Sequence, residues 1–253
     1  MTMPALVFIH GGQHRASCWQ PTLRALSSAS LDVPTLALDM PGRGTSPGDL
    51  ASATLDDFIE STVAQINSAG LDEVVLVSHS AAGLHVPQTA ARLGLDRVKH
   101  LVFIASLIPA AGQTGADVLP WPMNAALRRA GRKPRPVPPI NKAVAAYYFC
   151  NGMTAAQRRF TLDSMTAESQ RIATTPIDRT GFPGGIPMSW ILTGNDRIVS
   201  PRRQLDFIAT LGGVDAVIRL DTCHDAMISR PTELSSALLT CVTRPRQSPP
   251  GLR

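Results

Sequence analysis

Residues 74–83 read VVLVSHSAAG, and this stretch sets the expected architecture of the chain. Four apolar residues run directly into Ser-His-Ser, and small residues then begin a helical pattern. The pattern is typical of a buried strand, a sharp turn that presents the hydroxyl of Ser80, and a helix N-terminus behind it. Such elbows usually read Gly-x-Ser-x-Gly; here Ser78 and Ala82 occupy the glycine positions, and Gly83 follows one residue later. Taken alone, the stretch is equally consistent with an ordinary strand-to-helix junction capped by a serine.

Three further segments end in residues that complete this chemistry. Residues 6–12 (LVFIHGG), 190–196 (WILTGND) and 217–224 (VIRLDTCH) each read as a strand that delivers polar or glycine residues at its end. The first supplies a His-Gly-Gly loop, the second an aspartate and the third a histidine. The chain order serine, aspartate, histidine is that of the α/β-hydrolase fold and differs from that of the other serine-protease folds.

Together the four segments predict one role for each residue. Ser80 is the predicted nucleophile, His224 the base that takes its proton, and Asp196 the acid that fixes the histidine tautomer. The backbone N–H groups of Gly12 and Ala81 are the predicted oxyanion hole, with Ala81 at the N-terminus of its helix. The predicted reaction is therefore transfer of an acyl group to a serine, followed by hydrolysis of the acyl-enzyme.

Strand-like and helix-like segments alternate along the chain, which predicts an α/β fold with a parallel sheet flanked by helices. The predicted strands lie near residues 4–9, 34–39, 73–78, 98–105, 188–193 and 216–221. The predicted helices lie near residues 17–29, 54–69, 81–93, 201–212 and 228–242. Ligands bind such sheets at the carboxyl ends of the strands, where the four motif segments emerge.

Residues 107–187 interrupt this alternation with Pro- and Gly-rich sequence and helical patterns near 142–151 and 154–169. We expect this interval to be a helical cap inserted before the last two strands, over a core of residues 1–106 and 188–243. The tail 244–253 is expected to be disordered. The substrate-binding candidates are aromatic and sulfur side chains of the cap and two residues of the first loop: Trp121, Tyr147, Tyr148, Phe149, Met153, Gly11 and His14. The alternative for the cap residues is packing within the cap, and for His14 a hydrogen-bonded loop histidine.

Composition fits one globular enzyme domain. The 253 residues are 44% hydrophobic and 17% charged, and the longest apolar runs are too short to span a bilayer. The first apolar stretch runs straight into the His-Gly-Gly loop, so no signal peptide is evident and we expect a cytoplasmic protein. The four cysteines are scattered, which argues against a zinc site or a disulfide framework. No nucleotide loop or metal motif is present, so no metal, cofactor or nucleic-acid partner is expected.

The net charge of +5 comes mainly from arginine, and residues 128–135 (RRAGRKPR) form its one dense cluster. We expect this cluster to be a solvated, mobile loop. The functional alternative is a rim that attracts an acidic substrate or a carrier-protein prosthetic group.

The loop at residues 10–19 reads HGGQHRASCW and resembles that of the plant methylesterase and hydroxynitrile lyase family, which reads HGACHGAWCW. DMPGRG at 39–44, the elbow at Ser80, TGNDRIVSP at 193–201 and HDAMI at 224–228 follow in family order. The resemblance covers nearly the whole chain. It implies an α/β-hydrolase that begins at the strand before the oxyanion loop, a six-stranded parallel sheet, and a possible homodimer.

Two positions depart from the lyases of that family. Those enzymes carry Thr directly after the oxyanion-loop histidine and Lys directly after the catalytic histidine, where this chain has Gly11 and Asp225. Without the lysine there is no cation to hold a departing cyanide, so hydrolysis is preferred over lyase activity.

Four functions follow from these observations, led by a serine hydrolase of a small or medium carboxylic ester or lactone. A thioesterase acting on a carrier protein is the second, and charge reversal at Arg128, Arg129 and Arg132 would test it. A cofactor-free lyase or oxygenase that uses the His–Asp base is the third, and retained activity in Ser80→Ala would favour it. A non-catalytic ligand-binding relative is the fourth, and turnover of simple esters would exclude it.

Overall fold

A computed structural model of the chain describes residues 3–29, 32–121, 123–130, 135–182 and 184–243. Within these residues one six-stranded sheet forms in the order β2-β1-β3-β4-β5-β6, and every pairing in it is parallel. The strands are β1 Ala5–Ile9, β2 Thr35–Leu38, β3 Val74–His79, β4 Val98–Ile104, β5 Met188–Thr193 and β6 Ala216–Leu220. The predicted α/β fold and its six-stranded parallel sheet are confirmed.

Helices flank the sheet and also fill the interval between β4 and β5. They are α1 Gln20–Ser27, α2 Leu55–Ser68, α3 Val86–Leu93, α4 Met123–Ala130, α5 Lys142–Phe149, α6 Ala155–Ser164, α7 Gln170–Thr174, α8 Pro201–Thr210, α9 Ala226–Ser229 and α10 Pro231–Thr243. Short 3₁₀ turns occupy Ala16–Trp19, Ser80–Leu84 and Gly115–Val118. None of the helices in the described ranges has both the length and the apolar character that a membrane crossing requires.

The central strands owe their uniformly apolar sequences to their position in the sheet. Every residue of β1 and β3 is buried, because neighbouring strands and helical layers cover both of their faces. The edge strand β6 alternates between partly buried and exposed residues. Helix α1 packs on α10 and α2 on α3, and α3, α8 and α10 contact β3, β5 and β4, respectively. Ring stacking between Phe103 and Trp190, with centroids 5.7 Å apart, joins β4 to β5 within the core.

Three predicted helices are each divided in two, and a proline is the first or second residue of the second part every time. Pro21, Pro87 and Pro231 lie at the starts of α1, α3 and α10. Proline lacks the N–H that an interior helix position would donate, whereas the first turn has no use for that group. The stretches predicted as helices at 17–29, 81–93 and 228–242 therefore break just before these prolines.

The interval between β4 and β5, residues 107–187, is called the inserted segment below. It contains α4 to α7, of which α4 and the short α7 were not predicted. The expectation of a mobile loop at 128–135 is wrong for Arg128 and Arg129, which lie in the last turn of α4, and Arg128 pairs with Asp117. Residues 131–134 lie outside the described residues, as does the tail 244–253. The predicted helix at 154–169 ends at Ser164, and Glu168 instead forms an antiparallel bridge with Val137.

Candidate active site

The turn after β3 places Ser80 at the carboxyl end of the sheet in a strained conformation. Its φ angle is +51°, in the left-handed region that residues other than glycine rarely adopt. Two glycines make room around it. A Cβ on Gly11 would lie 2.7 Å from Ser80 Cβ, and one on Gly83 would lie 2.5 Å from the Leu107 carbonyl oxygen. The close approaches of this elbow are therefore accommodated by Gly11 and Gly83, which explains why Ser78 and Ala82 are tolerated at the usual glycine positions.

Folding brings Ser80, His224 and Asp196 into one hydrogen-bonded line. His224 Nε2 lies 2.9 Å from Ser80 Oγ, and His224 Nδ1 lies 2.7 Å from Asp196 Oδ2. The imidazole is fully buried, and the serine and aspartate are nearly so. A carboxylate at Nδ1 favours the tautomer that carries its proton there, which leaves Nε2 free to accept the proton of the serine.

Four donors fix the Asp196 carboxylate, two of them from the loop after β5. Oδ1 accepts from the backbone N–H groups of Ile198 at 2.7 Å and Val199 at 2.9 Å. Oδ2 accepts from Thr193 Oγ1 at 2.9 Å in addition to His224. Each carboxylate oxygen can accept two hydrogen bonds, so the group is fully satisfied in this orientation.

Gly12 and Ala81 border the space in front of Ser80. They line the same cavity, and a Cβ built on Gly12 would lie 3.6 Å from Ala81 Cβ. Neither backbone N–H donates a hydrogen bond to another of the described residues. Two unpaired donors beside a buried hydroxyl can stabilise an oxyanion that forms there.

A cavity of about 240 Å³ opens beside Ser80 and extends beneath the inserted segment. Its walls are largely apolar and include Met123 and Leu127 of α4 and Phe149 of α5. Among the described residues that line it, Glu168 is the only charged one. The cavity therefore suits an uncharged, largely hydrocarbon group attached to the reacting carbon.

Of the predicted aromatic substrate contacts, the structure places only Phe149 at this cavity. Tyr147, Tyr148 and Phe149 are consecutive in α5, so their side chains leave the helix about 100° apart and cannot all face one space. Tyr147 is 58% exposed and packs its ring on the Arg197 guanidinium, while Tyr148 is half-buried against the core. Trp121 is 80% exposed. The prediction is corrected for these three residues, which do not line the cavity.

Met153, Gly11 and His14 do not line the cavity either. Met153 is buried, and the Thr161 hydroxyl donates to its sulfur at 3.5 Å, so it packs within the inserted segment. Gly11 lies tightly against Ser80, where its lack of a side chain is what matters. His14 is buried behind the oxyanion loop in a hydrogen-bonded pair, as the alternative interpretation expected.

The sequence did not reveal the partner of His14, which is Asp225. His14 Nε2 lies 3.1 Å from Asp225 Oδ2, and His14 Nδ1 lies 2.8 Å from the Gly12 carbonyl oxygen, so both ring nitrogens face acceptors. Burial alone would lower the pKa of His14, but the Asp225 carboxylate outweighs it and raises that pKa. Burial would raise the pKa of Asp225, but the neighbouring His14 lowers it. The two residues form an ion pair behind the site, and an aspartate directly after His224 was the available signal.

The ligand atoms of His79, His224 and Asp225 lie within 4.8 Å of one another, a spacing that a metal ion could use. The donor set does not fit one. His79 Nε2 donates to the His224 carbonyl oxygen at 3.1 Å, and both His224 nitrogens already face Ser80 and Asp196. Burial and the neighbouring His224 lower the pKa of His79 to about 3, so His79 is neutral and holds the His224 loop in place.

A second buried ion pair, also missed from the sequence, joins the loop after β2 to the inserted segment. Arg43, only 3% exposed, donates to Glu168 Oε1 and, at 3.1 Å, to the His14 carbonyl oxygen. Glu168 also accepts from the Gln13 N–H at 3.0 Å and the Ser169 N–H at 2.8 Å. Burial raises the pKa of Glu168, and Arg43 opposes that shift. Arg43 belongs to the DMPGRG loop, but nothing in the sequence linked it to Glu168.

Comparison with known proteins gives the same assignment of fold. A model described as "Alpha/beta hydrolase family" matches residues 6–237. The chain is 25% identical to the probable hydrolase R7 of a Phoma species over 246 residues, which are 94% of this chain and 98% of that protein. An extracellular α/β-hydrolase from a Paenibacillus species superposes with a TM-score of 0.82 at 21% identity, covering 95% of this chain and 100% of that one. A methylesterase of Arabidopsis, MES16, superposes with a TM-score of 0.76 at 19% identity, covering 95% and 99%. The predicted resemblance to plant methylesterases is confirmed, and these relatives support a carboxylic ester hydrolase.

Proposed function

Since this chain belongs to the α/β hydrolase family, we propose that it is a serine hydrolase that cleaves small or medium carboxylic esters or lactones. The observation that carries the proposal is the line of hydrogen bonds from Ser80 through His224 to Asp196, which ends at an apolar cavity. A serine hydroxyl is too weak an acid to attack an ester unaided, and a buried His–Asp pair is the usual means of activating it.

The mechanism uses each of these groups once in each half of the reaction. Ser80 Oγ attacks the ester carbonyl carbon while His224 Nε2 takes the hydroxyl proton, and Asp196 stabilises the resulting imidazolium. The carbonyl oxygen becomes an oxyanion that accepts hydrogen bonds from Gly12 and Ala81. When the intermediate collapses, His224 gives its proton to the leaving alcohol. A water molecule, deprotonated by the same nitrogen, then attacks the acyl carbon; the bond to Ser80 Oγ breaks, the acid leaves, and His224 returns the proton to Ser80.

The charges near the site support a neutral substrate. Glu168 at the cavity wall is already paired with Arg43, so neither offers an uncompensated charge to a ligand. The relatives described above include a methylesterase, which supports an ester of small or medium size. The cavity volume of about 240 Å³ also limits the group held beside Ser80 to a small or medium size.

Two rival functions receive less support. A cyanide-releasing lyase needs a cation after His224, and Asp225 at that position is an anion buried against His14. A carrier-protein thioesterase was suggested by the arginine cluster, but Arg128 already pairs with Asp117 on the surface of the inserted segment. Hydrolysis of an ester therefore remains the proposal that uses Ser80, His224 and Asp196 together.

Covalent labelling tests the proposal directly. The purified protein is treated with a fluorophosphonate probe and assayed in parallel on p-nitrophenyl esters of increasing acyl length. We expect both labelling and hydrolysis in the wild-type protein, loss of both in Ser80→Ala, and no change in Ser236→Ala, which alters an exposed serine of α10. Labelling or ester hydrolysis that persists in Ser80→Ala contradicts the assignment, and persistent turnover without hydrolysis would point to the lyase or oxygenase alternative.

A further inference from the structure

Gln13, the residue after Gly12, adopts a backbone conformation that only glycine takes readily. Its φ angle is +61°, in the left-handed region. Gly11 and Gly12 precede it, and a Gly-Gly pair has wide conformational freedom of its own. The loop therefore carries two residues without side chains, followed by a strained one. Such strain persists only where the surroundings over-determine the conformation.

The surroundings that hold Gln13 come from the inserted segment. Its backbone N–H donates to Glu168 Oε2 at 3.0 Å, and its carbonyl oxygen accepts from the Thr166 N–H at 2.9 Å. Its side-chain amide donates to the Pro138 carbonyl oxygen at 3.0 Å and accepts from the Ile140 N–H at 3.0 Å. All four hydrogen-bonding groups of this residue are thus satisfied by residues 138–168, and none of them by the sheet that carries the loop.

The partners of Gln13 are themselves fixed. Glu168 and Val137 exchange two backbone hydrogen bonds, at 2.8 and 2.9 Å, which join the two stretches that hold the glutamine. Arg43 anchors the Glu168 carboxylate from the loop after β2 and also donates to the His14 carbonyl oxygen. Gln13 and the residue after it, His14, are therefore tied to the same buried framework.

We propose that Gln13 is a positioning residue: through it, the inserted segment holds the N–H of Gly12 where the oxyanion forms during ester cleavage. The inference rests on the proposed function and adds to it a dependence of the oxyanion hole on the inserted segment. When that segment is docked, four hydrogen bonds fix the end of the Gly-Gly pair. When it lifts from the core, Gln13 loses all four, and among the described residues Gly12 is then held only by the His14 ring, whose Nδ1 donates to the Gly12 carbonyl oxygen at 2.8 Å. The alternative is that these bonds merely attach the inserted segment to the core.

The two possibilities differ in which kinetic constant they affect. A misplaced oxyanion donor weakens binding of the transition state and leaves binding of the ester itself nearly unchanged. A loosened attachment alone changes the cavity that receives the substrate, which raises KM. A trifluoromethyl ketone forms an adduct with the nucleophilic serine that carries an oxyanion. Its affinity should therefore fall when the oxyanion donor is misplaced, but not when only the substrate cavity is changed.

The experiment compares Gln13→Gly and Gln13→Ala with the wild-type protein. Both variants remove the two side-chain hydrogen bonds, but glycine accepts the left-handed φ angle freely whereas alanine does not. Gln113→Ala is the matched control, because its side chain accepts only from the Ala110 N–H at 3.1 Å on the exposed surface of the same segment. Thermal unfolding establishes that each variant is folded. If the glycine variant is unfolded, the kinetic comparison uses the alanine variant.

We expect kcat on p-nitrophenyl esters to fall about tenfold in both Gln13 variants, with KM changed less than about threefold. Affinity for the trifluoromethyl ketone should fall by the same factor as kcat, and Gln113→Ala should match the wild type. An unchanged kcat, or a rise in KM alone, overturns the inference while leaving the proposed function intact. Wild-type activity that does not require Ser80 overturns the proposed function instead.

Discussion

Replacing Asp196 with asparagine tests the geometry of the site by changing a single atom. Oδ1 faces two backbone donors, the N–H groups of Ile198 and Val199, so the amide nitrogen of an asparagine cannot take that place. It must take the place of Oδ2, which faces the hydroxyl of Thr193 at 2.9 Å and His224 Nδ1 at 2.7 Å. The variant therefore points an N–H group at the very nitrogen that needs an acceptor.

The consequence is the wrong tautomer of His224. Its Nδ1 must now accept, so the ring proton moves to Nε2, which lies 2.9 Å from Ser80 Oγ and can no longer take the serine proton. We expect kcat to fall about 10⁴-fold, as the loss of the correct tautomer does in triads of this kind. That factor corresponds to about 5 kcal/mol of the activation barrier. KM should change little, because Asp196 does not line the cavity.

The assay is steady-state hydrolysis of a p-nitrophenyl ester, with circular dichroism to establish that the variant is folded. Thr193→Val is the matched control: it removes one donor to Oδ2 but leaves the carboxylate and its contact with His224. We expect that control to retain kcat within about tenfold of the wild type. If Asp196→Asn also stays within that range, the carboxylate does not orient the histidine during the reaction and the reasoning fails.

Three further predictions concern packing, pH and specificity. Gly83→Ala should lower the free energy of unfolding by about 1–3 kcal/mol in urea titrations, because its Cβ would lie 2.5 Å from the Leu107 carbonyl oxygen; an unchanged midpoint would contradict this. His14→Gln should cost more stability at about pH 5 than at about pH 9, since Asp225 raises the pKa of His14 and the pair loses its charge as pH rises through that value; equal losses in thermal unfolding would refute it. Trp121→Ala should leave acyl-chain preference on an ester panel unchanged, because the side chain is 80% exposed; a changed preference would place it at the substrate.

The sheet and the aligned side chains were accessible from the sequence because both leave local signals. Central parallel strands are buried on both faces, so they appear as uninterrupted apolar runs such as residues 74–77. The residues that terminate these runs emerge at one edge of the sheet. The order of Ser80, Asp196 and His224 along the chain was then enough to expect them in contact.

The contacts that support those residues leave no such signal. For the His14 pair the one signal was the position of Asp225 directly after His224, and nothing near His14, 211 positions away, points to it. Arg43 and Glu168 are 125 positions apart and offered no signal. Partners of this kind are chosen by tertiary packing, where a charge must be matched once it is buried.

The inserted segment was the least predictable part for a related reason. Its aromatic residues occur in a row in α5, and a row of apolar residues has no helical period that distinguishes the cavity side from the solvent side. Of the three, only Phe149 faces the cavity. Helix α4 was not predicted because it is short and ends in Arg128 and Arg129, which are typical of a solvated loop. Its apolar stripe, which lines the cavity, consists of only three residues: Met123, Ala126 and Leu127.

The hydrogen bonds of Gln13 also limit how this protein can be re-engineered. Exchanging the stretch between β4 and β5 for that of another family member is an obvious route to a new substrate range. A chimera made in this way would keep the glutamine but lose the Pro138, Ile140, Thr166 and Glu168 groups that it requires, and Arg43 would be left buried without a counter-charge. A workable graft would therefore have to bring its own residue 13 and its own replacement for Arg43.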